Sequence, residues 1–540
     1  MVTYVKCQQT LVNFKKVDGN GDQAIDSILG NENLIIRGNN LLALQTIHLT
    51  HAGKVKLIYI DPPYNTDSDS FKYNDSFNHS TWLTFMKNRL SSAKDFLRPD
   101  GVIFVQCDDN EQAYLKVLMD EVFGFDNFLN TVSVNMKNTS GASGGGEDKK
   151  LKKNIEYMHV YTKDRFSFVK FNDVYEEENL FDVIDSMRNE GKSWKYTRVL
   201  RSVGDREFLK TITDGSGEDI KIYAHKNVII KTIKELMKED GIDEQSCYIK
   251  YYDSIFRDTN AQSSIRTRVM DATNGLGDFF SIEYTPRSGK SKGQLTTLYY
   301  KGNNCDLIAW LRDTCLKQGN KLIKLEKLGT YWDFVGETKN LTKEGCVEFL
   351  SGKKPEKLLQ RIIELCTDEN DIVMDYHLGS GTTAAAAHKL NRRYIGIEQL
   401  DYGNNDSIVR LKNVINGDQS GLSKSVNWQG GGSFVYCELA KANQVFVEKI
   451  QKTETYEELL AIWNTLQVKA FLSYRVNPKV FNESMSNFAE LSTEDQKRFL
   501  IDVLDKNLLY VPLSEIDDET YAISDADKQL NRQFFRLESL

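Results

Sequence analysis

The segment VKLIYIDPPYNT, residues 55–66, joins a mostly apolar run of six residues to a stiff turn that contains two prolines. A short apolar run bounded by polar turns is typical of a buried strand in a parallel sheet. Residues 82–97 follow with apolar side chains at spacings of three and four, which predicts an amphipathic helix. Residues 101–109, GVIFVQCDD, predict a second buried strand. This order of strand, helix and strand predicts a doubly wound α/β sheet.

The same pattern is interrupted and then returns. After residue 128 the chain becomes Gly- and Ser-rich and then polar, whereas beyond residue 353 it again alternates helical and apolar strand patterns. We therefore expect one α/β domain with an insert. The predicted boundaries are 1–165 and 328–447 for the two parts of the α/β domain, 166–327 for the insert, and 448–540 for an acidic helical C-terminal region.

Composition limits the class of protein. The 540 residues are 40% hydrophobic and 27% charged, which excludes wholesale disorder. No apolar run approaches the ~20 residues of a membrane span, and the N-terminus lacks the apolar core of a signal peptide. We therefore expect a cytoplasmic protein without a membrane partner. The eight cysteines form no C-x-x-C pair, so neither a metal site nor a disulfide framework is expected.

Charge is distributed unevenly along the chain. The net charge is −8, and residues 448–540 carry 11 basic and 17 acidic residues. Residues 284–302 carry four basic residues and no acid. This asymmetry is compatible with a polyanion that contacts the middle of the chain, although an ordinary solvated surface also has such stretches.

A glycine turn marks the second half of the α/β domain. Residues 371–387 run from an apolar strand pattern through His-Leu-Gly-Ser-Gly into an alanine-rich helix. Glycines there permit positive φ and a close ligand approach, and the helix start offers free N–H groups. The next strand ends in Glu398, a suitable acceptor for ribose hydroxyls. Because the motif also satisfies the dinucleotide fingerprint, this half leaves a dinucleotide and another adenosine cofactor equally open.

The turn after the first strand is more specific. The Asp61 carboxylate and the Pro62 carbonyl are fixed acceptors beside the ring of Tyr64, because Pro62 and Pro63 stiffen the turn. Two acceptors and a ring can hold the amino group of a planar base by two hydrogen bonds and stacking. Such hydrogen bonds localise the amine lone pair toward a methyl donor. The sequence therefore predicts an amino-methyltransferase with this turn as its catalytic element.

At this point the chain resembles the DNA amino-methyltransferases that use S-adenosylmethionine, in the arrangement where DPPY precedes the glycine motif. The resemblance is closest to the Mod subunits of type III restriction-modification systems, which methylate adenine at N6. It covers residues 31–165 and 328–443 nearly continuously, and segments that carry it include 33–44, 61–77, 101–111, 155–163, 354–366, 375–402 and 430–443. The resemblance implies a Rossmann-like sheet with circularly permuted motif order and a target-recognition domain at 166–327.

The resemblance also assigns residues. Asp61, Pro62 and Tyr64 would hold the flipped adenine, and Glu398 would hold the cofactor ribose. The remaining cofactor contacts would come from Asp375, His377, Gly379, Ser380, Gly381 and Thr382. Two pairs depart from the family pattern: His377-Leu378 stands where many relatives have an aromatic residue and Ala, and Gly38-Asn39 stands where Gly-Asp is frequent. His377 is better interpreted as a turn residue than as a catalytic base.

Methylation of a base inside a duplex requires its extrusion, because stacking and pairing bury N6. The insert therefore has to grip the backbone and read base edges, for which Arg, Asn and Gln side chains are suited. The predicted DNA contacts are Asn65, Lys137, Asn260, Gln262, Arg266, Arg268, Arg287 and Lys290. Lys137 is better interpreted as an ordinary exposed lysine. The recognition sequence does not follow from these residues.

The leading prediction is a sequence-specific DNA adenine-N6 methyltransferase that serves as a type III modification subunit. Alternatives are a cytosine-N4 methyltransferase, which tends to carry Ser at position 61, a protein glutamine methyltransferase, which tends to carry Asn there, and a solitary adenine methyltransferase without a nuclease. A specificity module without activity would predict a damaged DPPY or glycine motif, and both are intact.

The resemblance further implies partners: double-stranded DNA, a second copy of the chain, and a separate Res helicase–nuclease subunit. The sequence contains no G-x-x-x-x-G-K-[ST] loop, so ATP hydrolysis is expected from another subunit. Apolar stripes in the C-terminal region predict either a subunit contact or packing on the chain's own α/β domain. These stripes comprise Leu459, Trp463, Leu466, Phe499 and Val503.

Overall fold

The computed structural model describes residues 11–65, 79–137, 151, 153–215, 217–260, 263–287, 291–339, 341–349, 352–439, 446, 449–453, 455–469, 482 and 485–504. The chain divides into two compact units. The first comprises Met1–Asn172 and Gly329–Leu540, and the second comprises Asp173–Leu328. The expected insert had the boundaries 166–327, and the expected C-terminal region 448–540 falls within the first unit.

The described strands, in chain order, are β1 Leu11–Asp18, β2 Gly21–Ala24, β3 Leu34–Arg37, β4 Val55–Ile60, β5 Leu97–Cys107, β6 Phe128–Asn135, β7 Ile155–Thr162, β8 Tyr175–Asn179, β9 Arg198–Ser202, β10 Asp205–Thr213, β11 Asp219–Lys226, β12 Ile229–Thr232, β13 Ile255–Thr259, β14 Phe279–Tyr284, β15 Thr296–Lys301, β16 Asp306–Trp310, β17 Cys315–Gln318, β18 Lys321–Lys327, β19 Tyr331–Asp333, β20 Ile372–Asp375, β21 Arg393–Glu398 and β22 Ser433–Leu439.

The described α-helices are α1 Asn40–His51, α2 His79–Phe96, α3 Gln112–Phe123, α4 Leu180–Asn189, α5 Ile233–Asp240, α6 Glu244–Lys250, α7 Ser264–Thr273, α8 Glu356–Cys366, α9 Thr382–Lys389, α10 Ser407–Ile415, α11 Tyr456–Lys469, α12 Met485–Ala489 and α13 Thr493–Leu504. Short 3₁₀ helices cover Phe125–Asn127, Tyr252–Ser254, Leu311–Asp313, Val335–Thr338, Leu341–Cys346 and Gly403–Asn405.

The first unit is built on a mixed sheet with the strand order β19-β6-β7-β5-β4-β20-β21-β3-β22-β1-β2. Its six central strands, β5-β4-β20-β21-β3-β22, are parallel, and β7 and β1 are antiparallel to their neighbours. Strands from the first and the last part of the first unit therefore lie parallel in one sheet, and helices connect them along the chain. The prediction of a doubly wound α/β fold with permuted motif order is confirmed.

The strand order reverses between β4 and β20. From β4 the chain passes through α2 to β5 on one side, and from β20 it passes through α9 to β21 on the other. In open parallel sheets, ligands bind beyond the carboxyl ends of the strands at such a reversal. The turn after β4 and the turn after β20 therefore meet at the expected binding edge.

The core fixes this edge from both faces of the sheet. The predicted apolar positions of the second helix, Trp82, Met86, Leu90 and Ala93, are fully buried and pack with α1, α3 and alternate strand residues in one cluster. The other strand side chains are also buried, and α8 and α9 contact β4, β20 and β21. A parallel sheet covered on both faces is rigid, so its strand ends are well-defined platforms for side chains.

The second unit is antiparallel. Its larger sheet has the order β10-β11-β14-β15-β16-β13-β9-β12, and a smaller sheet has the order β17-β18-β8. One apolar cluster lies between α7 and the larger sheet, with Val269, Phe280 and Ile282 among its buried members. A second cluster joins α4, α5 and α6 around Leu180, Leu236 and Tyr248, among others. The unit thus has cores of its own.

The C-terminal helices form a cluster of their own. Leu459, Trp463, Leu466 and Val503 are buried with side chains from the same helical region, whereas Phe499 remains 38% exposed. The expectation that these stripes pack on the α/β core or on a partner is corrected for these four residues, because α11 and α13 bury them against each other. No helix within the described ranges is long and apolar enough to cross a membrane.

Candidate active site

The Asp-Pro-Pro-Tyr turn begins directly after the last residue of β4 and is anchored by the following helix. The indole Nε1 of buried Trp82 donates a hydrogen bond of 2.8 Å to the carbonyl oxygen of Pro63. Asn65 adopts a φ of +59°, and its amide donates to Glu111 Oε1 at 2.7 Å. The turn is therefore held by contacts on both of its ends. Trp82 was expected only as a core residue, and Glu111 was not predicted.

Lys354 provides a buried cation at the turn. Its Nζ lies 3.0 Å from Asp61 Oδ2 and 3.2 Å from Glu156 Oε2, and its side chain is 8% exposed. Tyr64 donates its hydroxyl to Glu156 Oε2 at 2.9 Å. Lys354 precedes Pro355, the N-cap residue of α8, so the rigid start of this helix fixes the position of the lysine.

The polar chain continues into the sheet. The amide of Gln106, on β5, donates to Glu156 Oε2 at 2.6 Å, and the hydroxyl of Tyr59, on β4, donates to Gln106 Oε1 at 2.7 Å. Lys354, Glu156, Gln106 and Tyr59 were all missed from the sequence. The segments that contain Lys354 and Glu156 had been recognised as part of the family pattern, but only their contacts reveal a role.

Electrostatics at the turn follow from burial and from this lysine. Burial raises the pKa of Asp61, Lys354 opposes that rise, and Glu156 adds to it. Burial would also raise the pKa of Glu156, yet Lys354 and the hydrogen bonds outweigh it and the pKa is lowered. For Lys354, burial would lower the pKa, but the two carboxylates raise it overall. Lys354 is therefore cationic and Glu156 anionic at neutral pH.

Asp61 has acceptor capacity left. Its Oδ1 is buried and accepts no hydrogen bond from any residue that the structure describes. Burial, followed by the charge of Asp61, raises the pKa of Tyr64 well above its usual value, so the phenol stays neutral. A carboxylate with one oxygen lacking a donor, beside a neutral aromatic ring, suits a planar group that carries an N–H donor.

The glycine turn after β20 presents two different environments. Gly379 and Gly381 have φ angles of +52° and +81°, which side-chain-bearing residues rarely adopt. A Cβ on Gly379 would meet nothing nearer than the His377 carbonyl oxygen at 4.0 Å, whereas a Cβ on Gly381 would lie 2.9 Å from Ser407 Cβ. Gly379 therefore borders open space, and Gly381 packs closely against α10.

Two carboxylates organise this turn. Asp375 Oδ1 accepts from the His377 backbone N–H at 2.9 Å, and its Oδ2 accepts from the Thr383 hydroxyl at 2.6 Å. Glu398 Oε2 accepts from the Gly379 N–H at 2.7 Å. Burial raises the pKa of Asp375 to about 7 and also raises that of Glu398. A carboxylate oxygen has two lone pairs, so the partly exposed Glu398 can still accept from a ligand hydroxyl.

The hydroxyls of Ser380 and Thr382 face the interior. Both residues are buried, their oxygens are 3.2 Å apart, and the guanidinium of Arg410 donates to Thr382 Oγ1 at 2.8 Å. Arg410 is itself fully buried and donates to Glu356 Oε1 at 2.8 Å. These two predicted cofactor residues thus shape the turn through buried contacts.

His377 lies between the two halves of the edge. Its Nε2 is 3.4 Å from the amide nitrogen of Asn40, and its ring centroid is 5.9 Å from that of Phe85. Burial, and then the charge of Arg89, lowers the pKa of His377 to about 3. The imidazole is therefore neutral at physiological pH, in keeping with a turn residue rather than a cation.

The predicted DNA contacts have varied surroundings. Arg266 donates to the carbonyl oxygens of Cys305 and Asn304 at 3.0 and 2.6 Å, and Arg287 pairs with Glu218 at 2.7 Å. Arg268 is exposed and donates to the Thr213 carbonyl oxygen at 3.3 Å. Asn260 and Lys137 are exposed, and Gln262 and Lys290 lie outside the described residues.

Pairing of β4 with β20 brings the two predicted turns to one edge. Asp61 and Asp375 follow or end these neighbouring strands and are close enough for the charge of Asp61 to raise the pKa of Asp375. The open space beside Gly379 and the spare acceptor capacity of Asp61 fit an adenosine cofactor at one turn and an amine-bearing base at the other.

Comparison with known proteins agrees with this geometry. A family model described as DNA methylase matches residues 55–402. The probable type III restriction-modification enzyme HindVI Mod subunit of Haemophilus influenzae is 46% identical over 537 residues, which cover 97% of this chain and 71% of that protein. The EcoPI Mod subunit of Escherichia phage P1 is 27% identical, over 71% of this chain and 59% of that protein. The EcoP15I Mod subunit of Escherichia coli is 26% identical, over 80% of this chain and 71% of that protein.

Proposed function

The chain belongs to the DNA methylases and to the family of type III modification subunits, and from this membership we propose that it transfers a methyl group from S-adenosylmethionine to N6 of adenine in duplex DNA. The observation that carries the proposal is the pairing of β4 with β20. It joins an amine-binding turn and a cofactor-binding turn at a single sheet edge.

The residues of the DPPY turn orient the target amine. The Asp61 carboxylate and the Pro62 carbonyl accept its two hydrogens, and Tyr64 stacks on the base. These bonds localise the nitrogen lone pair, which in the free base is delocalised into the ring. As the C–N bond forms, the amine loses one proton, and the Asp61 carboxylate is the acceptor within reach.

The glycine turn holds the methyl donor. When bound, S-adenosylmethionine supplies a methyl group on a sulfonium sulfur, which retains the electron pair of the broken bond. Gly379 lets the cofactor approach the backbone, and Glu398 accepts from its ribose hydroxyls. Asp375 neutralises the cationic methionine part. The open space at Gly379 and the strand-end position of Glu398 support these roles.

Adenine rather than cytosine is favoured by the acid at position 61. A carboxylate can accept the amine hydrogen bond and the released proton, whereas the serine typical of cytosine-N4 enzymes cannot hold that charge. The purified protein should therefore form N6-methyladenine on unmethylated, mixed-sequence duplex DNA with S-adenosylmethionine. Mass spectrometry of the nucleosides identifies the base, and modification-sensitive long-read sequencing gives the motif. Formation of N4-methylcytosine alone would reject the adenine assignment.

Variants at the turn test the division of roles. Asp61→Ala and Tyr64→Ala should nearly abolish methyl transfer and leave cofactor affinity within about threefold of wild type, because both residues act on the base. Asp126→Ala, at an exposed aspartate outside the site, is the matched control and should change neither quantity. Loss of cofactor binding in Tyr64→Ala would contradict its assignment to the base.

Partners complete the proposal. The relatives are named as modification subunits of restriction-modification enzymes, which supports a separate partner subunit. We propose that this partner is a helicase–nuclease and that the chain itself forms a homodimer. The second unit, Asp173–Leu328, is then the part that reads DNA sequence. The isolated protein should methylate DNA without ATP and cut none of it. Light scattering after gel filtration measures its oligomeric state, and a monomer that methylates would contradict the dimer.

A further inference from the structure

Lys354 occupies a position that the mechanism above does not use. Its ammonium lies between two carboxylates, 3.0 Å from Asp61 Oδ2 and 3.2 Å from Glu156 Oε2. These three side chains come from the start of α8, the end of β4 and β7, which meet beside the DPPY turn. A lysine buried to this extent requires a reason, because desolvating an ammonium is costly unless it is paired.

We propose that Lys354 is a positioning residue for methyl transfer, which fixes the Asp61 carboxylate and keeps it ionised beside a second buried carboxylate. This inference rests on the proposed function and adds a residue to it. Lys354 acts through Asp61 and does not touch the base or the cofactor.

Orientation is the first part of the argument. Lys354 contacts Asp61 through Oδ2, while Oδ1 accepts no hydrogen bond from the described residues, so the salt bridge holds the carboxylate by one oxygen. An oxygen with two lone pairs can accept from Lys354 and from an amine together. Without the lysine, the carboxylate loses the only cation within salt-bridge distance among the described residues, and with it the contact that holds Oδ2.

The ring is oriented by the same lysine. Lys354 Nζ lies over the Tyr64 ring, 5.0 Å from its centroid, and the Tyr64 hydroxyl is held by Glu156. An ammonium over one face of a tyrosine favours that arrangement by a cation–π interaction. A base can then stack only on the opposite face, which defines the side from which it enters.

Charge balance is the second part. The titratable groups beside Lys354 are Asp61, Glu156 and Tyr64. The phenols of Tyr64 and of the nearby Tyr59 stay neutral, because burial raises the pKa of both. Asp375 adds a further carboxylate nearby. Two buried carboxylates without a cation cannot both remain ionised, so one would take up a proton. A protonated Asp61 would be a weaker acceptor for the amine and could not take its proton.

The test compares charge-altering variants on unmethylated, mixed-sequence duplex DNA with radiolabelled S-adenosylmethionine. In Lys354→Met, the acid limb of the kcat–pH profile should move to higher pH by about one unit or more, because the cation that favours ionised Asp61 is gone. Below the new limb, kcat should fall about tenfold for each unit by which the limb moves, and cofactor affinity should change less than about threefold.

Three further variants separate charge from structure. Lys354→Arg retains the cation and should keep the acid limb near its wild-type position. The double variant Lys354→Met with Glu156→Gln restores the net charge of the site, so its limb should return toward wild type. Lys353→Met is the matched control, because Lys353 is also buried but donates to the carbonyl oxygens of Val347 and Thr342. It should not move the limb even if it lowers stability.

An acid limb that stays at the wild-type pH in folded Lys354→Met would overturn the proposal, even with reduced activity. If Lys354→Met does not fold, as judged by circular dichroism, Glu156→Gln decides, since removing the second carboxylate should move the limb to lower pH. A wild-type protein that methylates no base would instead reject the proposed function itself, whereas an active wild type with unmoved limbs in the variants rejects only the role of Lys354.

Discussion

Alanine substitutions at the two glycines of the turn after β20 should differ in effect: one should mainly weaken cofactor binding, and the other should mainly lower stability. Gly379 and Gly381 both have positive φ, yet a Cβ on Gly379 would enter open space and a Cβ on Gly381 would lie 2.9 Å from Ser407 Cβ and 3.0 Å from Ser407 Cα. The backbone strain of the substitution is thus similar at both positions. The steric consequences differ, because only Gly381 packs against protein.

The magnitudes follow from these two environments. An alanine forced into the left-handed region costs about 1–2 kcal/mol, which is the whole effect expected for Gly379→Ala on unfolding. Gly381→Ala should add about 1–3 kcal/mol of overpacking against α10. For Gly379→Ala the new methyl group instead occupies the space assigned to S-adenosylmethionine. The affinity of the Gly379→Ala variant for S-adenosylmethionine should fall at least tenfold, which corresponds to about 1.4 kcal/mol.

Calorimetric titration with S-adenosylmethionine gives the affinities, and thermal unfolding without ligand ranks the stabilities. Gly379→Ala should unfold slightly below the wild-type temperature and bind poorly, whereas Gly381→Ala should unfold at a clearly lower temperature than either. Wild-type affinity in Gly379→Ala would refute the reasoning, because the cofactor would then not lie over this glycine. Equal destabilisation by both substitutions would refute the packing argument.

Four other outcomes are expected. Glu398→Gln should weaken S-adenosylmethionine binding about tenfold in calorimetry, and unchanged binding would mean that another acid holds the ribose. The pKa of Asp375 is raised to about 7, and its ionised form suits a cationic ligand, so cofactor affinity should rise with pH through that range and binding should release protons. Asp375→Asn should remove this pH dependence. Affinity of the wild-type protein that does not change with pH would contradict the assignment. Trp463→Ala should destabilise the C-terminal cluster by about 3–5 kcal/mol, which faster proteolysis of that region would show. Methyl transfer should persist. A loss of cofactor binding would instead mean that the C-terminal cluster stabilises the α/β sheet. Exchange of residues 173–328 with the same unit of a relative should move the methylated motif without changing the base, and an unchanged motif in an active chimera would assign recognition elsewhere.

Local patterns predicted much of the α/β unit because its strands and helices carry their own signals. The apolar run of β4 and the three-and-four spacing of α2 are properties of adjacent residues, and both elements formed where expected. The strand-end rule placed Asp61 and Glu398 at the carboxyl ends of parallel strands, which is where the structure has them, and their roles stay predictions. Which residues pack on the C-terminal apolar stripes was not predictable. Helical periodicity in the sequence predicts that Trp463 is buried, as it is, but does not show which side chains cover it.

The missed part of the site depends on long-range contacts. Lys354 and Glu156 are polar residues in segments whose patterns suggest only a helix start and a strand. Their meeting with Asp61 follows from the order of strands in the sheet, which single-sequence periodicity does not specify. Glu111 and Arg410 were missed for the same reason, since a charged residue is usually exposed and here both are fully buried.

The interleaved sheet also constrains the order in which the chain can mature during synthesis. Among the described strands, β3 pairs with β21 and β22, and β4 has β5 on one side and β20 on the other. The ribosome must add roughly 300 residues after β4 before β20 emerges, about 15–60 s at ordinary elongation rates. The antiparallel second unit, which lies between β4 and β20 in the sequence, can fold during that interval. The edges of β3 and β4 that later pair with β20, β21 and β22 stay unpaired until then. Newly made chains are therefore exposed to aggregation until the final third is translated, and the turn after β4 gains its neighbouring strand β20 only then.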